Sequence, residues 1–77
     1  MPMEFVVVNY PEVRDVSIDG EVAGKTNDTL MLERGHHTFD LGIPKDYEPE
    51  SVEKNVQDTT EIIPLIIDDF HPKEGGI

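Results

Sequence analysis

The sequence predicts an all-β fold, a small β-sandwich of about six to seven short, mainly antiparallel strands. Three observations predict it. The core-forming residues are mostly Val, Ile and Leu, with no Trp and few other aromatics, a composition that favours pleated strands over helices. No segment repeats apolar residues at helical spacing over three turns. Short alternating segments are separated by turn chemistry, above all Ile18-Asp19-Gly20 and Arg34-Gly35-His36.

The first element is the run Glu4-Phe5-Val6-Val7-Val8-Asn9-Tyr10, apolar in sequence and stopped by Pro11, which reads as a strand buried on both faces. From Arg14 to Ile18, Val16 and Ile18 alternate with Asp15 and Ser17, the period of a strand with one wet face. Asp19-Gly20 ends it with a tight turn, because Gly accepts positive φ freely and Asp tolerates it. Gly24 interrupts the next stretch, and Asn27-Asp28 makes a loop before Thr29-Leu30-Met31-Leu32-Glu33, where Leu30 and Leu32 share one face.

Glu33-Arg34-Gly35-His36 is expected to close a hairpin onto His37-Thr38-Phe39-Asp40-Leu41, with Gly35 at the left-handed position. Phe39 and Leu41 face the core in that register; His37 points inward near the strand's start, and His36, Thr38 and Asp40 face water. Pro44 and Pro49 break regular pairing between Gly42 and Pro49, leaving Tyr47 as the loop's anchor. Ser51 to Gln57 reads as an edge strand with Val52, Lys54 and Val56 on one face, its Lys and Glu guarding the edge. Asp58-Thr59 makes a turn, and Thr60 to Ile67 is expected as a long last strand with a bulge or edge position at Pro64. Residues 1–67 thus form one domain, and residues 68–77 are expected to be a flexible polar tail.

Seventy-seven residues without a single cysteine leave stability to the core or to a partner chain. A net charge of −11 repels phosphate backbones and anionic bilayers, which argues against nucleic acid and membrane insertion. Met1-Pro2-Met3-Glu4 carries no basic leader, and Phe5 to Val8 is too short for a signal or spanning segment. As the chain stands it reads as cytoplasmic; a domain excised from a cell-surface protein would read the same way.

Taken together, Ile18-Asp19-Gly20, Gly24-Lys25-Thr26, Leu30 and Leu32, Gly35-His36-His37 with Phe39 and Leu41, and Tyr47-Glu48-Pro49 resemble the PEGA domain family in order and spacing. The resemblance spans roughly Pro11 to Ile67. The signature tetrapeptide stands here as Pro11-Glu12-Val13-Arg14, Asn27 occupies a position where Pro is usual, and Asp46 precedes Tyr47 in place of Gly. The resemblance implies a small β-sandwich similar to transthyretin-like and carboxypeptidase-regulatory-like folds. It also implies a non-catalytic appendage of bacterial and archaeal surface or signalling proteins, with no catalytic residue to carry over.

Side chains that invite a chemical reading have a plainer one. Gly20-x-x-x-Gly24-Lys25-Thr26 falls one residue short of a phosphate loop and precedes a strand, not a helix N-terminus. His36 and His37 point to opposite faces and cannot share a metal; His37 is expected to pack on the sheet with a hydrogen-bonded ring, and His36 to be solvated. Asp15, Asp19, Glu21, Asp68 and Asp69 form no calcium-loop pattern, and Asn27-Asp28-Thr29 fits a glycosylation acceptor without a secretory signal beside it. No Ser or Cys nucleophile stands with a base. We therefore expect no enzyme, no catalytic or metal-binding residue and no cofactor. The expectation is an interaction or structural module that meets a protein or a surface polysaccharide, with Tyr10 and Tyr47 as the candidate contact residues. The alternative is self-association of identical chains through exposed sheet edges, since the first and last strands are apolar on both faces.

Overall fold

A computed structural model of the chain describes residues 3–73, and these contain no helix. Nine strands run in chain order: β1 Met3–Val8, β2 Asp15–Ile18, β3 Glu21–Lys25, β4 Thr29–Glu33, β5 Gly35–Asp40, β6 Tyr47–Glu48, β7 Val52–Val56, β8 Leu65–Ile67 and β9 His71–Pro72. They form a three-stranded sheet β4-β1-β8, a four-stranded sheet β3-β2-β5-β7 and the two-stranded pair β6-β9. The protein is all-β, with more strands than the six or seven expected. All pairings are antiparallel except β1 with β8, which run parallel from Val6↔Leu65 to Val8↔Ile67.

The two larger sheets share one apolar cluster. Val6 and Val8 of β1, Leu30 and Leu32 of β4 and Ile67 of β8 meet Val16 and Ile18 of β2, Phe39 of β5, and Val52 and Val56 of β7, with Tyr10, Leu41, Tyr47 and Phe70 completing it. The inward faces read from alternation in β4, β5 and β7 are the faces buried here, whereas β2 buries Ser17, expected on a wet face, together with Val16 and Ile18.

Asp19 and Gly20 have φ of 54° and 88°, so the loop between β2 and β3 is the two-residue turn with both centres left-handed, whose twist matches a right-twisted hairpin. Ile18 and Glu21 face each other across it. β3 itself was hidden in the sequence because Glu21 to Lys25 lacks alternation. It is an edge strand with Val22 two-thirds exposed, and Gly24 is there because a Cβ would lie 2.3 Å from Leu30 Cδ2.

Four further expectations are corrected. Gly35 does adopt positive φ, at 134°, but it closes no hairpin: β4 pairs with β1, whereas β5 pairs with β2 and β7, so Arg34-Gly35 carries the chain from one sheet to the other. β1 is not fully buried on both faces, since Glu4, Val6 and Val8 point in while Met3 is exposed and Phe5 and Val7 are half-buried. The last strand shrinks to Leu65–Ile67, because Pro64 cannot donate to a ladder and the preceding residues turn through Thr60 N–H to Ile63 O (3.0 Å) and Ile63 N–H to Thr60 Oγ1 (2.9 Å). The expected tail is ordered through Lys73: Phe70 is 3% exposed in the core, and β9 pairs with β6. The rest of that tail, residues 74–77, lies outside the described residues.

Candidate functional site

The two turn motifs are fastened to each other. Asp19 sits at the tip of the β2–β3 hairpin, and its Oδ1 accepts the Thr38 amide at 2.9 Å while its own amide donates to Thr38 O at 2.8 Å. Oδ2 of the same carboxylate lies 2.6 Å from His37 Nδ1, and His37 Nε2 lies 2.6 Å from the Glu33 carbonyl oxygen. Both ring nitrogens therefore face acceptors. Only the doubly protonated imidazolium can donate to both. Burial opposes that charge, but the Asp19 carboxylate and the Glu33 carbonyl outweigh it and raise the His37 pKa above its ordinary 6.5. The Thr38 amide first, and His37 second, hold the Asp19 carboxyl below the usual carboxylate range.

A stability dependence follows from the sign of the His37 shift. A raised folded-state pKa contributes stability that is fully present below the ordinary value of 6.5 and is lost as pH rises through the folded value. The urea midpoint is expected to fall as pH climbs from 6.5 into the alkaline range, and His37→Gln is expected to flatten that slope. A wild-type midpoint that rises over the same range would contradict the geometry.

The other side chains with chemical appeal are likewise spent internally. Lys25 of the near-phosphate-loop pairs with Asp15, and the Thr26 hydroxyl donates to Glu12 O at 2.7 Å and accepts the Arg14 amide at 2.8 Å. Asn27, left-handed at φ 63°, brackets Tyr10 by accepting its amide at 3.0 Å and donating to its carbonyl at 2.8 Å. Arg14 spans the loop after β5, bonding Asp46, Pro44 O at 2.7 Å and Leu41 O at 3.3 Å, and its guanidinium lies 5.0 Å above the Tyr47 ring. Tyr10 and Tyr47, the candidate contact residues, are 7% and 0% exposed and belong to the core.

His36 is solvated, as expected, with Nε2 3.0 Å from Glu53 Oε1. The five acids considered for calcium are not gathered: Asp15 goes to Lys25, Asp19 to His37, and Asp69 to Lys54 at 3.4 Å. Among the described residues no three His, Asp or Glu side chains converge with metal-ligand geometry, and no cavity opens. Sequence reasoning missed Glu4, which points inward from β1. Its Oε1 accepts the Thr59 amide (2.9 Å) and hydroxyl (2.6 Å), and its Oε2 accepts from Arg34 Nε (3.2 Å), so the Thr59 bonds foremost lower its pKa.

The outer face of the three-stranded sheet is open to another molecule. Met3, Phe5 and Val7 alternate outward along β1, and the register sets Phe5 beside Met31 of β4 and Val7 beside Ile66 of β8. Met31, Ile66 and Met3 are 59%, 46% and 42% exposed, so the five side chains make a continuous apolar surface across three strands. Beside it, the turn that leads into β8 holds out Ile62 and Ile63, 90% and 72% exposed, and Thr59 of the same turn accepts the Phe5 amide at 2.7 Å. The signal in the sequence was the excess of apolar residues in the first and last strands. No family model, curated protein or solved structure matches the chain.

Proposed function

We propose that this chain is a non-catalytic interaction module, a small β-sandwich of the PEGA type that meets a partner macromolecule through a sheet surface. The observation that carries the reading is the apolar outer face of β4-β1-β8, since contiguous exposed apolar surface on a small soluble domain marks an interaction site. In this reading the positions that carry the PEGA resemblance are structural: Asp19 and His37 brace the sheets, Gly35 turns the chain from one sheet to the other, and Tyr47 anchors its loop. A self-associating domain is the second reading, favoured by the exposed Ile62 and Ile63 beside the short edge strand β8.

Purified protein incubated with ester, phosphoester, glycoside and peptide reporter substrates is expected to give no turnover above background. Turnover that disappears in a folded His37→Gln variant would overturn the non-catalytic reading. Sedimentation across a wide concentration range separates the second reading, which requires a mass that grows with concentration.

A further inference from the structure

The outer face of the three-stranded sheet differs from the rest of the molecule in its charge as much as in its apolarity. The chain carries 17 Asp and Glu against 6 Lys and Arg, yet the outward side chains of β1 and β8 are uncharged, and β4 contributes only Glu33, at the corner beside Met3. Interfaces between proteins have this anatomy, a centre depleted of charge and enriched in Met and aromatic residues, with a charged rim. Here the rim is acidic: Asp28 and Glu33 bound β4, Glu61 precedes the isoleucine pair, and Asp68 follows β8. The nearest cation in sequence, Arg34, is bonded to the buried Glu4 carboxylate.

That rim decides the occupant. A second copy has little cationic side chain to set against it, because Arg14, Lys25, Arg34 and Lys54 are already paired with Asp46, Asp15, Glu4 and Asp69. The other two, Lys45 and Lys73, flank the β6–β9 pair. Two copies face to face would instead bring like charges together, each molecule at −11, and like-charge juxtaposition disfavours the wrong partner.

We infer that the β4-β1-β8 face docks a basic polypeptide whose own apolar side chains are flanked by Lys or Arg. This rests on the interaction-module reading and names its partner. Apolar contact with Phe5, Met31 and Ile66 supplies the affinity, and the acidic rim supplies steering and selection.

The test uses a short synthetic peptide alternating Val and Lys, a Ser and Lys peptide of equal charge, and a Val and Glu peptide, each titrated into the full chain with amide shifts followed by NMR. The Val and Lys peptide is expected to shift amides of β1, β4 and β8, and to bind about tenfold or more tightly than either control. Met31→Lys and Ile66→Lys, at exposed positions and so expected to fold, should each weaken it by about tenfold or more. Shifts scattered over the acids of the four-stranded sheet, equal binding of the Ser and Lys peptide, or indifference to both variants would overturn the inference. So would a dimer formed through this same face. None of these results touches the non-catalytic reading, which stands or falls on turnover sensitive to His37.

Discussion

Tyr47→Ala is expected to unfold the domain or bring it to the edge of unfolding. The ring is fully buried, meets Phe70 edge-on at 5.7 Å between centroids and lies under the Arg14 guanidinium. Removing a buried aromatic costs about 3–5 kcal/mol. A domain of 77 residues has only about 4–12 kcal/mol in total at the usual stability per residue. The hydroxyl has its own part: it donates to Gly42 O at 2.8 Å and accepts the buried Leu41 amide at 3.2 Å. Tyr47→Phe keeps the ring and strands both backbone groups, for a cost of about 1–3 kcal/mol. Urea unfolding of the two variants separates ring from hydroxyl. If Tyr47→Ala costs no more than Tyr47→Phe, the ring is not packed as described.

The second large effect lies in the segment that composition marks as a tail. Phe70→Ala is expected to cost about 3–5 kcal/mol, because the side chain is 3% exposed and closes the cluster against Tyr47. Ending the chain after Ile67 should do at least as much harm, since it also removes β9 and leaves β6 unpaired. His71→Ala, at an exposed position in the same strand, should stay within about 0.5 kcal/mol of wild type. Thermal unfolding reads the contrast directly, as about 4–8 °C per kcal/mol for a domain of this size. A truncated chain that melts with the full one would show that the core ends at β8.

Local chemistry was legible and long-range pairing was not. Asp19-Gly20 announced its turn because positive φ is a local demand that few residues meet, and Leu30, Leu32, Phe39 and Val56 announced their faces by alternation. Gly35 announced positive φ equally well, but a left-handed residue does not specify whether the next strand pairs with the last one or crosses to another sheet. That choice rests on β2 and β7, which lie far away in sequence. The parallel partner of β1 has no local signature at all. Phe70 was obscured by its polar neighbours Asp68, Asp69 and His71, and Ile62 and Ile63 looked like strand because an exposed isoleucine turn has the composition of a buried strand. The link between the turns was invisible for a related reason: Asp19 and His37 are 18 residues apart, and either alone reads as an ordinary polar residue.

The non-catalytic half of the reading draws on that link, because both ring nitrogens of His37 and both carboxylate oxygens of Asp19 are already engaged within the fold. The most direct measurement is the ring protonation of His37, followed by NMR against pH in the wild type and in Asp19→Asn. The expected result is a ring that titrates above 6.5, donating from both nitrogens in its charged form, and whose pKa drops in the folded variant. A neutral His37 ring with one free nitrogen, titrating identically with and without the Asp19 carboxylate, would contradict it.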